Sequence, residues 1–214
     1  SIAEEKAGIL TAGVPLILAP QESEIEALIL NRAARAGAVV HLAGRDFTAR
    51  ANGGGMQFAI GDRSLALPPP ALRGAHQIDN AATALACADY LGVGEAAMAT
   101  GLQTVRWPAR LQKLTRGPML TALTARLPEA EIYLDGGHNE AAAHILADWL
   151  ATKAPRPVHL VLGMLASKAH DKYLAALAQH SERGPNIHIH AVPIAGNENA
   201  SAPTALAIPA QKYA

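Results

Sequence analysis

The chain has 214 residues, of which half are hydrophobic and 17% are charged, and its 18 basic and 18 acidic residues balance. This balance excludes the basic surface that binds nucleic acids or acidic membranes, so we expect neither as a partner. No apolar run approaches the roughly 20 residues that span a bilayer, and the single cysteine, Cys87, can form no internal disulfide. We therefore expect a cytoplasmic α/β protein of one or two domains, with Cys87 buried as a small hydrophobic residue.

The chain opens with residues that resemble the last turns of a helix, and a strand–helix–strand pattern follows. The pattern consists of a buried strand at 14–19, a helix at 22–37 that ends at Gly37, and a second strand at 38–43. A crossover of this kind predicts that the two strands are parallel.

Residues 45–68 change to a period of two, which predicts short antiparallel strands joined by tight turns. The triple glycine at 53–55 is followed neither by a Lys-Ser/Thr pair nor by a helix. We therefore interpret it as a hairpin turn and not as a phosphate-binding loop.

Two helices are predicted next, at 76–92 and near 95–104, and Pro108 then breaks the pattern, so we place a domain boundary near residue 105. In the rest of the chain the pattern predicts a strand at about 131–135, a helix at 139–152, a strand at 157–163, a helix at 169–180 and a strand at 187–192. This alternation is typical of a Rossmann-like parallel sheet. Residues 203–214 predict one more helix or a frayed end.

The segment LDGGHN (134–139) lies where a predicted strand gives way to a helix. Ligands bind at such strand ends in open α/β sheets, and Asn139 is suited to cap a helix whose N-terminus favours anions. Asp135 could hold a ribose hydroxyl, and His138 could meet a phosphate or carboxylate. Equally, both residues could simply cap the helix turn.

Three further segments carry polar residues with more than one interpretation. Arg110 follows a rigid Trp-Pro pair and could bind a phosphate, or it could be a surface arginine in a linker. Gln77 and Asn80 share a helix face and could contact an adenine, or they could cap the helix. Lys6 stands beside two glutamates, which is typical of a solvated charge, although it could also face a metal or nucleotide site.

Two patterns argue against other kinds of site. His188 and His190 alternate on one predicted strand, but no third ligand follows at a suitable spacing, so we predict no metal site within this chain. The chain also contains no G-x-x-x-x-G-K-[ST] loop and no G-x-G-x-x-G after a strand. These residues alone therefore include no recognisable loop that binds a triphosphate.

Taken in order, six segments resemble the folylpolyglutamate synthase/dihydrofolate synthase family of the Mur ligase superfamily. They are IAEEKAGI (2–9), GAHQIDNAATAL (74–85), RWPARLQ (106–112), LDGGHNEAAA (134–143), VLGML (161–165) with Lys168, and VPIAGNENA (192–200). The family pattern usually has alanine where this chain has Gly137 and proline where it has Glu140.

The resemblance implies an ATP-dependent amide ligase that uses Mg²⁺ and adds L-glutamate to dihydropteroate or folate through an acyl phosphate. By the same resemblance, Lys6 matches the carbamylated lysine near the Mg²⁺ site and Asn80 the asparagine on the adenine side. Arg110 matches the arginine that reaches the ATP phosphates. Asp135 matches the ribose- and ATP-binding aspartate, and His138 the histidine near the glutamate site.

The resemblance also implies how the chain is organised. Residues 1–105 correspond to the second half of the central ATPase domain, and residues 106–214 to an incomplete C-terminal Rossmann-like domain. Because the family's P-loop lies upstream of IAEEKAGI, we expect a fragment that is inactive by itself. The charge balance and the resemblance favour a monomer. The alternatives are another Mur-type amino-acid ligase, or a non-catalytic nucleotide-binding or interaction module.

Overall fold

The computed structural model describes residues 2–178 and 186–210, with side chains as far as residue 207. The chain divides into two compact units at Pro108–Ala109. No helix in the described part is both long and apolar enough to cross a membrane. The assignment of the first unit to half of an ATPase domain remains a prediction.

The first unit begins with a short helix and the predicted strand–helix–strand crossover. Its elements are α1 (Ile2–Lys6), a 3₁₀ turn (Ala7–Ile9), β1 (Pro15–Leu18), α2 (Ser23–Ala36) and β2 (Val39–Leu42). The two strands pair in parallel, as predicted. Gly37 ends α2 in the left-handed conformation with φ of 70°, and its N–H bonds to the carbonyls of the last turn, which is the usual role of glycine at this position.

A three-stranded antiparallel sheet follows, with strand order β3–β4–β5. Its strands are β3 (Phe47–Asn52), β4 (Gly55–Ile60) and β5 (Arg63–Leu67). Gly53 and Gly54 have φ of 52° and 95°. A two-residue turn with two positive φ values matches the right-handed twist of the strands that it joins, so the prediction of a hairpin is confirmed.

Helices α3 (Gln77–Tyr90) and α4 (Glu95–Thr104) complete the first unit and close its core. The core consists of alternate residues of the three strands and one face of each helix, namely Phe47, Met56, Phe58, Leu65, Leu67, Ala81, Ala82, Leu85, Ala86, Met98 and Leu102. Cys87 is exposed, so the prediction that it is buried is wrong. It comes directly after the buried pair Leu85 and Ala86, and one more residue of helix turns its side chain towards solvent.

The second unit contains four strands and four helices among its described residues. They are β6 (Gln112–Lys113), α5 (Pro118–Thr124), β7 (Tyr133–Leu134), α6 (Glu140–Ala151), β8 (Val158–Leu162), α7 (His170–Ala178), β9 (Ile187–Ala191) and α8 (Pro203–Ala210). Strands β8 and β9 are parallel, with Val158 opposite Ile187. The predicted end of the helix at 179–180 lies outside the described residues.

The prediction of one parallel sheet that includes residues 131–135 is wrong. Strand β7 has two residues and pairs in the antiparallel sense with β6, apart from the β8–β9 pair. The strand stops early because Asp135 and the two glycines after it turn the backbone towards α6. Strand β6 and helix α5 were not predicted, since two paired residues and a seven-residue helix give too short a periodic pattern.

The core of the second unit lies on one side of the β8–β9 pair. It contains the inward faces of α6 and α7 and the loop residue Leu111, and its buried members are Leu111, Ala143, Leu146, Ala147, Leu150, Leu162, Met164, Tyr173, Leu174, Ala176, Leu177 and Leu206. Alternate residues of both strands pack against it, and the residues between them face outward.

Tyr173 is the one core residue here with a strongly shifted pKa. It is 2% exposed, and burial, with a further contribution from the negative charge of Asp135, raises its pKa to about 12. Because its pKa is raised, Tyr173 stays neutral in the folded state over a range of pH in which it ionises in the unfolded chain.

We expect this residue to make the fold alkali-sensitive. A raised folded pKa contributes stability that is complete below the unfolded value near 10 and is lost as the pH rises to about 12. Urea unfolding across this range should show a loss of about 3 kcal/mol that Tyr173→Phe abolishes. If Tyr173→Phe loses the same amount of stability, other groups cause the alkaline sensitivity. The control is Tyr90→Phe, which changes an exposed tyrosine.

Candidate functional site

The carboxylate of Asp135 connects two separate backbone segments of the second unit. Its Oδ1 accepts a hydrogen bond from the Gly137 N–H at 2.7 Å, and its Oδ2 accepts one from the Leu111 N–H at 2.8 Å. The Gly136 N–H donates in turn to the Ala109 carbonyl at 2.9 Å. The turn after β7 is therefore fastened to the loop that carries Arg110.

The loop around Arg110 has an unusual backbone. Ala109 and Leu111, on either side of the arginine, have φ of 55° and 43°, in the left-handed region that residues with a Cβ rarely adopt. Besides the bonds to Asp135 and Gly136, the Ala109 N–H donates to the Gln112 side chain at 3.0 Å. Leu111 is 3% exposed in the unit's core. Strain of this kind persists only where the surroundings fix it, and it concentrates at functional sites.

This backbone presents the Arg110 side chain at the surface beside the turn after β7. Arg110 is exposed, and one of its guanidinium nitrogens lies 3.5 Å from the point that a Cβ on Gly136 would occupy. The guanidinium therefore lies close to the backbone of the turn. A planar guanidinium held in this way can bind an oxyanion through two parallel hydrogen bonds.

Gly137 lets the turn approach helix α6 closely. A Cβ on Gly137 would lie 2.7 Å from Asp135 Oδ1 and 2.8 Å from the Ala142 Cβ, so alanine, the usual residue in the resembling family, would require a shift here. Asn139 caps α6 by accepting the Ala142 N–H at 2.9 Å, which confirms the predicted cap. The remaining N–H groups of this helix end favour a negatively charged ligand.

His138 lies at the surface of the same turn, and its ring is oriented by the backbone. Its Nδ1 lies 3.1 Å from the Gly136 carbonyl oxygen. A carbonyl can only accept, so Nδ1 carries the proton, and in the neutral ring Nε2 holds the lone pair. Nε2 is therefore the nitrogen that can accept a proton or hydrogen bond from a ligand.

The structure brings three of the five predicted site residues together. Arg110, Asp135 and His138 belong to one cluster of loops at the N-terminus of α6, which we call the Arg110 cluster. Lys6 and Asn80 belong to the first unit. Lys6 is the exposed last residue of α1, and Asn80 is exposed in the first turn of α3.

Of Gln77 and Asn80, which could contact a ligand or cap the helix, Gln77 is turned inward. That residue is 5% exposed, and its Oε1 accepts a hydrogen bond from Asn80 Nδ2 at 3.1 Å. Its Nε2 lies 2.9 Å from a ring nitrogen of His76. Gln77 therefore orients Asn80, and Asn80 remains the exposed member of the pair.

Sequence reasoning missed the contribution of Ala109, Leu111 and Gln112 to this site. Alanine and leucine give no sign of a left-handed backbone, because glycine and asparagine are the residues that usually adopt it. One indirect signal was Pro108, which directly precedes Ala109 and whose fixed φ indicates a bend in the backbone.

Comparisons with known proteins point to one family. No protein-family model matches the chain. It is 28% identical over 188 residues to the dihydrofolate synthase/folylpolyglutamate synthase of Bacillus subtilis strain 168, an alignment that covers 82% of this chain and 41% of the relative.

Solved structures give the same result. E. coli FolC in complex with DHPP and ADP matches with a TM-score of 0.78 and 25% identity, over 98% of this chain and 46% of that one. A bifunctional folylpolyglutamate synthase/dihydrofolate synthase with Mn, AMPPNP and L-glutamate bound matches with a TM-score of 0.76 and 28% identity, over 97% and 46%. The chain thus spans less than half the length of each protein. Over most of its own length the chain is similar, in sequence and in fold, to the folylpolyglutamate/dihydrofolate synthases.

Proposed function

We propose that this chain forms part of an ATP-dependent ligase that adds L-glutamate to a carboxylate of a pterin or folate compound. The observation that carries the proposal is the Arg110 cluster, in which a strained loop holds an arginine beside a histidine and a helix N-terminus. Such an arrangement suits a ligand with several negative charges, and a nucleoside triphosphate is one. The resemblance to synthases solved with ADP, with AMPPNP and with L-glutamate supports this choice of ligand.

The proposed reaction has two steps. The γ-phosphate passes from ATP to the carboxylate of the acceptor, which gives an acyl phosphate and ADP. The amine of glutamate then attacks the acyl carbon, an amide forms, and inorganic phosphate leaves while the amine loses its protons to a base. The first step depends mainly on positioning and on compensation of negative charge.

In this proposal each residue of the Arg110 cluster has one task. Arg110 binds the phosphates and offsets the charge that moves with the transferred group. Asp135 holds the loop through Leu111 and, with the lone pairs that remain on its oxygens, accepts a ribose hydroxyl. His138 presents Nε2 towards the glutamate end, where the attacking amine must lose protons.

Two residues of the first unit also have proposed roles. Asn80, oriented by Gln77, offers its amide to the adenine. Lys6 is exposed, so CO₂ can reach its amine, and the carbamate so formed would be an anion suited to Mg²⁺. No three Asp, Glu, His or Cys side chains in the described ranges are grouped as metal ligands, so the described residues alone do not form a Mg²⁺ site.

The 214 residues by themselves are proposed to be inactive, because their sequence contains no phosphate-binding P-loop motif. ADP release that requires ATP, glutamate and dihydropteroate or folate should occur with the gene product that carries this segment and not with the isolated chain. Turnover by the isolated chain would contradict this proposal of inactivity. Release that is indifferent to the pterin or folate would contradict the proposed acceptor.

Arg110→Ala should impair the use of ATP in the active gene product. Loss of a charged bidentate contact typically costs about 1.5–3 kcal/mol, so we expect kcat/KM for ATP to fall by roughly 10- to 100-fold. Arg126→Ala, which removes another exposed arginine of the same unit, is the matched control and should leave kcat/KM unchanged. If both substitutions lower kcat/KM equally, the effect depends on the positive charge of the unit and not on a specific contact of Arg110.

Asp135→Ala should act largely through Arg110, since the carboxylate accepts the Leu111 N–H that follows the arginine. A double-mutant cycle measures this dependence. We expect Asp135→Ala alone to lower kcat/KM for ATP, and the double variant with Arg110→Ala to lose no more than about threefold beyond the worse single variant. Strictly additive losses would show instead that Asp135 acts on the nucleotide independently.

Lys6→Arg should abolish turnover although it retains the positive charge, because a guanidinium does not form the carbamate. Lys172→Arg makes the same change at an exposed lysine of α7 and should have no effect. The steady-state rate of phosphate release at saturating ATP and glutamate measures both variants. Full activity of Lys6→Arg would remove the carbamate from the proposal.

A further inference from the structure

The β8–β9 pair has a face that packs on the core and a face that is open to solvent. The inward residues of the two strands are Val158, Leu160, Leu162, Ile187, Ile189 and Ala191. The outward residues are exposed, and three of the four are histidines, namely His159, Val161, His188 and His190. The fold therefore places three imidazoles on one face, although only two of them are close in sequence.

Strand pairing brings the third histidine to the other two. His159 of β8 stands opposite His188 of β9 in the parallel register, and adjacent strands are only about 4.8 Å apart. The ring centroids of His159 lie 4.9 Å from His188 and 5.2 Å from His190, with interplanar angles of 20° and 21°. His159 is thus in contact with both neighbours.

Two of the ring nitrogens already lie at nearly the separation that a shared metal ion requires. His159 Nδ1 and His190 Nε2 are 2.9 Å apart. Two imidazole nitrogens bound to one zinc ion at about 2.05 Å in tetrahedral geometry are about 3.3 Å apart. A small outward rotation of either exposed ring would therefore open the pair to an ion.

We infer that His159, His188 and His190 form a surface site for a divalent transition-metal ion that prefers nitrogen ligands, such as Zn²⁺, Ni²⁺ or Cu²⁺. Imidazole is a preferred ligand of these ions, whereas Mg²⁺ selects oxygen. Three histidines also leave further coordination positions for water or for a ligand. This site does not depend on the proposed ligase function.

The rings must turn to form the site. In the described part of the chain no three metal-ligating side chains already converge on one point, and His159 and His190 instead share a hydrogen bond. One of the two facing nitrogens carries the bridging proton. Metal binding moves that proton to the other nitrogen of its ring, so two neutral imidazoles bind the ion without a net loss of protons. Since all three rings are exposed, they turn without disturbing the core.

Isothermal titration of the 214-residue chain with ZnCl₂ and with NiCl₂ tests the inference, and MgCl₂ is the comparison ion. We expect one saturable site for Zn²⁺ and Ni²⁺ and none for Mg²⁺ at the same concentrations. His159→Asn and His190→Asn should each weaken binding at least tenfold, which is the lower end of the effect of even outer-shell substitutions at metal sites. The variant with both substitutions should lose the saturable site.

Val161→Asn is the matched control, since it changes the outward residue two positions after His159 on the same strand. It should bind Zn²⁺ as the unchanged chain does, and circular dichroism should show that all variants fold. Electron paramagnetic resonance of the Cu²⁺ complex counts the nitrogen ligands, and we expect three, falling to two in His188→Asn. Saturable Zn²⁺ binding that survives in the double variant, or the absence of any saturable binding to the unchanged chain, would overturn the inference.

Discussion

The geometry of the Arg110 cluster depends on the two hydrogen bonds of one carboxylate. Asp135 accepts the Gly137 N–H within its own turn and the Leu111 N–H of a segment 24 residues away in sequence. A charged acceptor for a partly buried N–H contributes about 1.5–3 kcal/mol. Without it, the Leu111 amide would lose its acceptor, and the bond between Gly136 and Ala109 and the adjoining pairing of β6 with β7 would be left to connect the two segments.

These bonds matter because the backbone of the loop that they hold is strained. A residue with a Cβ in the left-handed region costs on the order of 1–3 kcal/mol, and Ala109 and Leu111 both adopt it. Burial of the Leu111 side chain contributes about 1.5–3 kcal/mol, and the bond to Asp135 contributes an amount of the same size. The strain is thus offset by contacts that also fix the direction of Arg110. In the proposed ligase, a loop backbone fixed in this way would bring the arginine to the phosphates with little rearrangement of the main chain.

The two faces of the β8–β9 pair show how one strand pattern serves two purposes. Alternate apolar residues of the two strands pack against α6 and α7. The residues between them face solvent, so they can be polar without weakening the core. This separation explains why three histidines can be close together on the outward face. The Arg110 cluster and the histidine face belong to the same unit but share no residue, so each can be changed without changing the other.

Much of this protein was determined by the sequence alone. Hydrophobic periodicity predicted the β1–α2–β2 crossover, the glycine turn between β3 and β4, and helices α3, α4, α6 and α7, because each has a local pattern of adequate length. The ordered segments around Lys6, Asn80, Arg110, Asp135 and His138 likewise predicted the similarity to folylpolyglutamate/dihydrofolate synthases that the comparisons find. Tertiary structure decided the rest. It paired β7 with β6 outside the parallel sheet, left Cys87 exposed, placed Ala109 and Leu111 in a strained conformation and brought His159 to His188 and His190. Each of these results depends on contacts between residues distant in the chain, which a local pattern does not encode.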